Sequence, residues 1–208
     1  SAIPLAKVAA TVGDDVFTAA AVMSSLNEAN TEYTARHLLQ TGEAANAPAL
    51  MASLGQAAGR TATDAQSLRL VELLSQDKSA TGIEWKTSFT EGFSKGLRAR
   101  GLGKGKSPFA DLATRTKSKA SLDWLFELAE KQALNTSAEE AIRLAAISFL
   151  ANSSKAASAK ELQSLVASKE SKAIQAGAIR TLGKFGNVEI GNWLIEANRW
   201  RAFSPEVR

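Results

Sequence analysis

There is no cysteine in this chain, and that absence removes disulfides, thiolate metal sites, cysteine nucleophiles and c-type haem attachment together. A single histidine, His37, leaves no transition-metal site of familiar type. As a general base it would need an orienting partner, and its surroundings (Ala35-Arg36-His37-Leu38-Leu39) offer no recognisable one, so a structural role is expected. Proline is scarce, with four residues in 208, and long Ala/Leu/Glu/Lys/Ser stretches run uninterrupted. No convincing period-2 alternation is present, so the expected class is all-α. Aromatic residues make up only 6% against 45% hydrophobic overall, which implies a core of Ala, Leu, Ile and Val suited to closely packed helices. No apolar run reaches the ~18 residues that span a bilayer, so no membrane insertion is expected. The stretch Ser1–Val8 lacks the long apolar centre of a signal peptide.

What is present is a repeated helix pattern. Ile142-Arg143-Leu144-Ala145-Ala146-Ile147-Ser148-Phe149-Leu150 recurs further along as Ile174-Gln175-Ala176-Gly177-Ala178-Ile179-Arg180-Thr181-Leu182. A third start falls at Ser204-Pro205-Glu206-Val207-Arg208, with Val207 where the next isoleucine belongs. Phe17 with Ala20-Ala21-Val22 reads as an earlier, weaker copy. The period set by Ile142, Ile174 and Val207 is the signature of stacked helical hairpins, in which each unit buries its apolar face against the next. The reading is one α-solenoid domain over residues 1–208, an α–α superhelix of about five hairpins, excised from a longer multidomain protein.

Along the chain, Leu5–Val12 reads as a first helix stopped by Gly13, with Asp14 or Asp15 capping the next. Apolar spacings of three and four predict helices over Thr34–Gln40, Ala49–Ala58, Ala65–Leu74 and Ile83–Leu97, with Gly42, Gly59 and Gly82 as C-terminal stops. Trp85, Phe89, Phe93 and Leu97 form a stripe expected to face the core. Gly101, Gly103, Gly105 and Pro108 predict an irregular loop over 98–118 with one helical turn, anchored by Phe109 and Leu112. Helices resume at Leu122, with Trp124 near an edge, and Ser137-Ala138-Glu139-Glu140 resembles a capping box. Each clear unit then pairs a first helix (Glu140–Leu150, Ala173–Leu182) with a second (Lys160–Val166, Ile190–Ala197).

Pro205-Glu206-Val207-Arg208, and Ile142-Arg143 followed by Ala145, Ala146 and Leu150, resemble the first helix of HEAT or armadillo-like repeats; Gln175 stands where the usual arginine belongs in the second copy. A narrower likeness runs through Asp15-Val16-Phe17 to Met23-Ser24-Ser25-Leu26, Trp85-Lys86 to Gly92 and Gly96-Leu97, and Trp200 to Pro205-Val207-Arg208. In that order these resemble the helical-repeat segment of the large membrane-bound dehydrogenase proteins of planctomycetes, where it lies between a β-propeller and a cytochrome c domain. The resemblance implies a non-catalytic connector in an exported or periplasmic, redox-linked multidomain protein. No redox residue carries over, because the Cys-x-x-Cys-His motif is absent.

Candidate chemistry is sparse. Glu139-Glu140 and Asp14-Asp15 precede helices, where the free N–H groups and the dipole favour negative charge. Glu127, Glu130 and Lys131 read as a solvated face. Gly103-Lys104-Gly105-Lys106-Ser107 lacks the spacing, strand and following helix of a phosphate-binding loop. One candidate remains, the basic run Lys95, Arg98, Arg100, Lys104, Lys106, Arg115, Lys117 and Lys119. Against these eight cations the 95–119 segment holds one acid, Asp111, while the rest of the chain has 17 basic and 20 acidic residues, so the net charge of +4 is local. Such a run suits a polyanion or an acidic partner, though apart from Phe109 it lacks interleaved aromatics for stacking single strands. No catalytic, cofactor or metal residue is assigned. The expected function is a helical-repeat scaffold contacting a protein partner or flanking domains. The alternative is a nucleic-acid module on the basic segment. An enzyme of the DNA glycosylase kind would further require Trp and Asp side chains converging on an open groove.

Overall fold

The structure is a computed structural model that describes residues 2–11, 15–43, 47–76, 83–104, 107–153, 156–166 and 169–196, with the side chains of 2, 3, 156 and 157 left aside. Among the described residues every regular element is helical: α1 Ala2–Ala10, α2 Val16–Ser24, α3 Thr31–Thr41, α4 Pro48–Thr61, α5 Asp64–Gln76, α6 Ile83–Ala99, α7 Pro108–Thr116, α8 Asp123–Leu134, α9 Glu140–Leu150, α10 Ala156–Ser164, α11 Lys172–Gly183 and α12 Val188–Ile195. The chain forms two compact units, Ser1–Trp124 and Leu125–Arg208.

Local chemistry sets the helix ends. Asp15 caps α2, accepting from the Phe17 N–H at 3.1 Å and from the Thr18 hydroxyl, and these bonds hold its carboxyl below the ordinary value, the Thr18 bond most. Gly42 ends α3 at φ 67°, a conformation that costs a glycine nothing. Ser171 and Asn187 accept from the first-turn N–H groups of α11 and α12. The expected capping box before α9 does not form: Glu139 occupies the N-cap without a side-chain bond, and the Ser137 N–H donates to Asn135 Oδ1 instead. Gly13, Asp14, Gly82, Trp200 and the third repeat start at 204–208 lie outside the described residues.

In the first unit each helix packs on the one two positions along. α1 meets α3, α3 meets α5 and α5 meets α7, while α2 meets α4 and α4 meets α6. The closest of these is α4 on α6. Gly59, expected to stop α4, lies inside it and one turn from Gly55, while α6 carries Gly92 and Gly96 at the same spacing. A Cβ at Gly55, Gly59, Gly92 or Gly96 would come within 2.2, 2.4, 1.9 or 2.3 Å of the carbonyl oxygen of Phe89, Phe93, Ala52 or Gln56 respectively. The two backbones therefore touch directly, and only glycine fits at all four positions.

The aromatic stripe of α6 is core, as its spacing implies. Trp85, Phe89, Phe93 and Leu97 are buried, and Phe93 meets Phe109 at 6.1 Å between ring centroids. Phe109 and Leu112 belong to α7, a nine-residue helix where one turn in a loop was expected. Pro108 ends nothing here; at the first helical position its missing N–H and fixed φ suit a start. Thr34, mid-α3, is fully buried and its hydroxyl has no hydrogen-bond partner among the described residues. Thr34→Val, which keeps the shape and removes the orphan, is expected to raise stability by about 1 kcal/mol in urea melts.

In the second unit α11 packs against α9, α10 and α12. The two recognised repeat helices are this α9–α11 pair, and their starts at Glu140 and Lys172 keep the spacing of Ile142 and Ile174. Their cores coincide at two positions, where Ala146 and Ala178, and Leu150 and Leu182, are all buried, while Ile142 is exposed and its equivalent Ile174 is buried.

Candidate functional site

The basic run is distributed over the end of α6, the following loop and α7. Lys95 is exposed on α6 and pairs with Glu91 one turn back at 3.0 Å. Arg98 Nη1 donates to the Gly103 carbonyl at 3.2 Å, and desolvation there lowers its pKa from the ordinary value, although a guanidinium remains charged. Arg100 reaches α5, with Nη2 2.7 Å from Asp64 Oδ1 and Nη1 3.4 Å from Ser67 Oγ. Arg115 pairs with Asp111 at 3.5 Å along α7. The Gly103 N–H donates to Asp111 Oδ2 at 3.0 Å, so the loop's own anion is a carboxylate of α7.

The arginines thus hold the corner together, and the lysines divide from them. Lys104, Lys117 and Lys119 are exposed, with no ion pair among the described residues, and Lys106 lies outside those residues. Lys117 sits at φ 53° as the α7 C-cap, the only non-glycine of positive φ among the described residues. A cation there is favoured by the helix dipole. Eight charges that are alike in the sequence differ in the fold: three arginines and Lys95 are paired, and Lys104, Lys117 and Lys119 are exposed.

The remaining candidates take structural positions. His37 Nε2 lies 3.7 Å from Glu43 Oε2, and its ring stacks beside Tyr33 at 6.4 Å. Glu140 accepts from the Ser171 hydroxyl, and Glu130 accepts from the buried Ser158 hydroxyl at 2.5 Å.

Two buried charged clusters were not legible. Lys86, on α6, is buried with its ammonium 5.5 Å from the Trp85 ring centroid and 5.7 Å from that of Trp124. The Trp124 indole N–H donates to the Leu74 carbonyl at 3.1 Å, fixing the second ring face toward the cation. The two tryptophans that the fold brings together therefore enclose a lysine. Trp85 lies on α6 and Trp124 on α8, so only the packing of the chain reveals the pair.

The second cluster lies in the other unit. Arg143, the repeat arginine, is buried, with Nε donating to the Ala133 carbonyl at 2.9 Å and Nη2 2.9 Å from Glu170 Oε2. That ion pair is close but makes no aligned hydrogen bond. Gln175, at the equivalent repeat position, donates to the Glu170 backbone carbonyl at 2.8 Å. The replacement of arginine by glutamine thus keeps a donor aimed at the same residue.

No helix among the described residues is long and apolar enough to cross a membrane, and no group of metal-ligating side chains is found there. Comparison with protein-family models, curated proteins and solved structures finds no match. The class defined by the described residues is an all-α protein of packed helices.

Proposed function

We propose that this chain is a non-catalytic helical-repeat scaffold of HEAT or armadillo type, an α–α superhelix that contacts a protein partner or flanking domains. The observation that carries the reading is the alternate-helix packing of the first unit, α1–α3–α5–α7 in one series and α2–α4–α6 in the other. Stacked hairpins pack in this way, because each unit lacks a core of its own. The α9–α11 pair, one sequence period apart with matching buried positions, supports the same reading. By the sequence resemblance, the scaffold serves within an exported, redox-linked multidomain protein.

Deleting residues 1–26, which carry α1 and α2, tests the repeat architecture. The remaining chain is expected to keep its helical circular dichroism in proportion to length and to unfold cooperatively. Loss of most of the helix signal would overturn it.

A second reading, a nucleic-acid module, is supported by the outward Lys104, Lys117 and Lys119. Fluorescence anisotropy of a short labelled DNA duplex, titrated across a salt series, separates the two. The scaffold reading expects no binding near physiological salt. Binding that weakens steeply with salt and vanishes when the three lysines become glutamate would establish the alternative.

A further inference from the structure

Equivalent repeat positions are covered in one copy and open in another. Phe17, Ala21 and Ser25 of the α2 copy align with Ile142, Ala146 and Leu150 of α9, and with Ile174, Ala178 and Leu182 of α11. In α11 all three are fully buried, beneath helices that pack on it. In α9 the last two are buried and Ile142 is 39% exposed. In α2 all three are exposed, Phe17 to 87%, and Val16 beside it to 75%. The stripe that forms core in the later copies lies open in the first.

That stripe borders a cavity. Leu5 and Val8 of α1, with Ala21, Val22 and Ser25 of α2, line an open groove of about 450 Å³. Val8 is 46% exposed at its edge. From 17 to 25 the stripe covers about 12 Å of helix, or slightly over two turns. An open stripe of this length, running from Phe17 into the groove at Ala21, fits one face of an amphipathic helix.

The chain carries a helix of that description. α12 buries Ile190 but exposes Val188 to 76% and Ile195 to 69%. These two lie seven positions apart, so they share one face two turns long, with the small Gly191 between them. α12 therefore exposes Val188 and Ile195 on a second face, with Gly191 and the polar Asn192 between them, over the length of the open stripe on α2.

We propose that α12 of a second copy seats in the α1–α2 groove, with Val188 and Ile195 against Phe17, Ala21 and Val8. It extends to a second molecule the kind of helix packing that already buries the same repeat positions in α11. The two surfaces differ, so the contact is heterologous and joins copies head to tail. This contact follows from the repeat equivalence of α2, α9 and α11, whatever partner the scaffold holds.

Sedimentation of the purified chain over about 5 to 500 µM tests it, since a small interface of this kind is weak. The weight-average mass is expected to rise at least twofold across the series. Phe17→Glu removes the groove side and Ile195→Glu the helix side; both residues are exposed, and circular dichroism verifies that each variant keeps its helix. Each variant alone is expected to remain monomeric. Mixed, they are expected to form a dimer and nothing larger, because each retains the surface the other has lost. A wild-type chain that stays monomeric throughout, variants that still associate alone, or a mixture that remains monomeric would each overturn the proposal.

Discussion

Gly92→Ala is expected to destabilise the first unit by about 3 kcal/mol, lowering its melting temperature by roughly 6–12 °C. A methyl group at this position would lie 1.9 Å from the Ala52 carbonyl oxygen, and the obstructing atom is backbone, which no rotamer change can move. α4 and α6 must separate, loosening the packing around Phe89 and Phe93 as well. Gly183→Ala is the matched control. A Cβ there meets nothing within 4 Å, so the same change is expected to stabilise by about 0.5 kcal/mol through helix propensity. Calorimetry of the two variants checks the pair; similar shifts would mean that close backbone approach is not what holds α4 on α6.

Arg143→Ala is expected to cost the second unit about 3–5 kcal/mol. The substitution leaves the Glu170 carboxylate, 9% exposed, without its cation, and the Ala133 carbonyl without the Nε donor. Most of that loss is the penalty of a stranded charge, not the worth of the pair. Replacing Arg143 by Met and Glu170 by Leu together is therefore expected to be less damaging than Arg143→Ala. Urea unfolding of the single and double variants checks this, and a double variant at least as unstable as the single would contradict it.

The parts of the fold that were legible are those encoded by spacing. Ile142 and Ile174 announced α9 and α11, because a packed helix face must recur every three or four positions. The stripe from Trp85 to Leu97 announced the buried face of α6 for the same reason. Glycine and proline misled because each has two uses. Gly59 resembles a stop when read alone, yet Gly55 and Gly59 matched to Gly92 and Gly96 mark a contact of two backbones. Pro108 resembles a breaker among three glycines, yet behind Ser107 it begins α7. Of the candidate site, net charge was legible and its allocation was not. Arg100 of the α6–α7 corner meets Asp64 of α5, and Lys86 of α6 meets Trp124 of α8, separations over which a local pattern carries no information.

The α4–α6 contact also has a mechanical meaning. Most helix pairs meet through side chains, which can change rotamer and let the helices slide by small steps. Where Gly55 and Gly59 face Gly92 and Gly96, no side chain intervenes, and displacement compresses one backbone against another. This crossing is therefore stiffer against sliding than a contact made through side chains, such as that of Arg69 on α5 with Glu32 on α3.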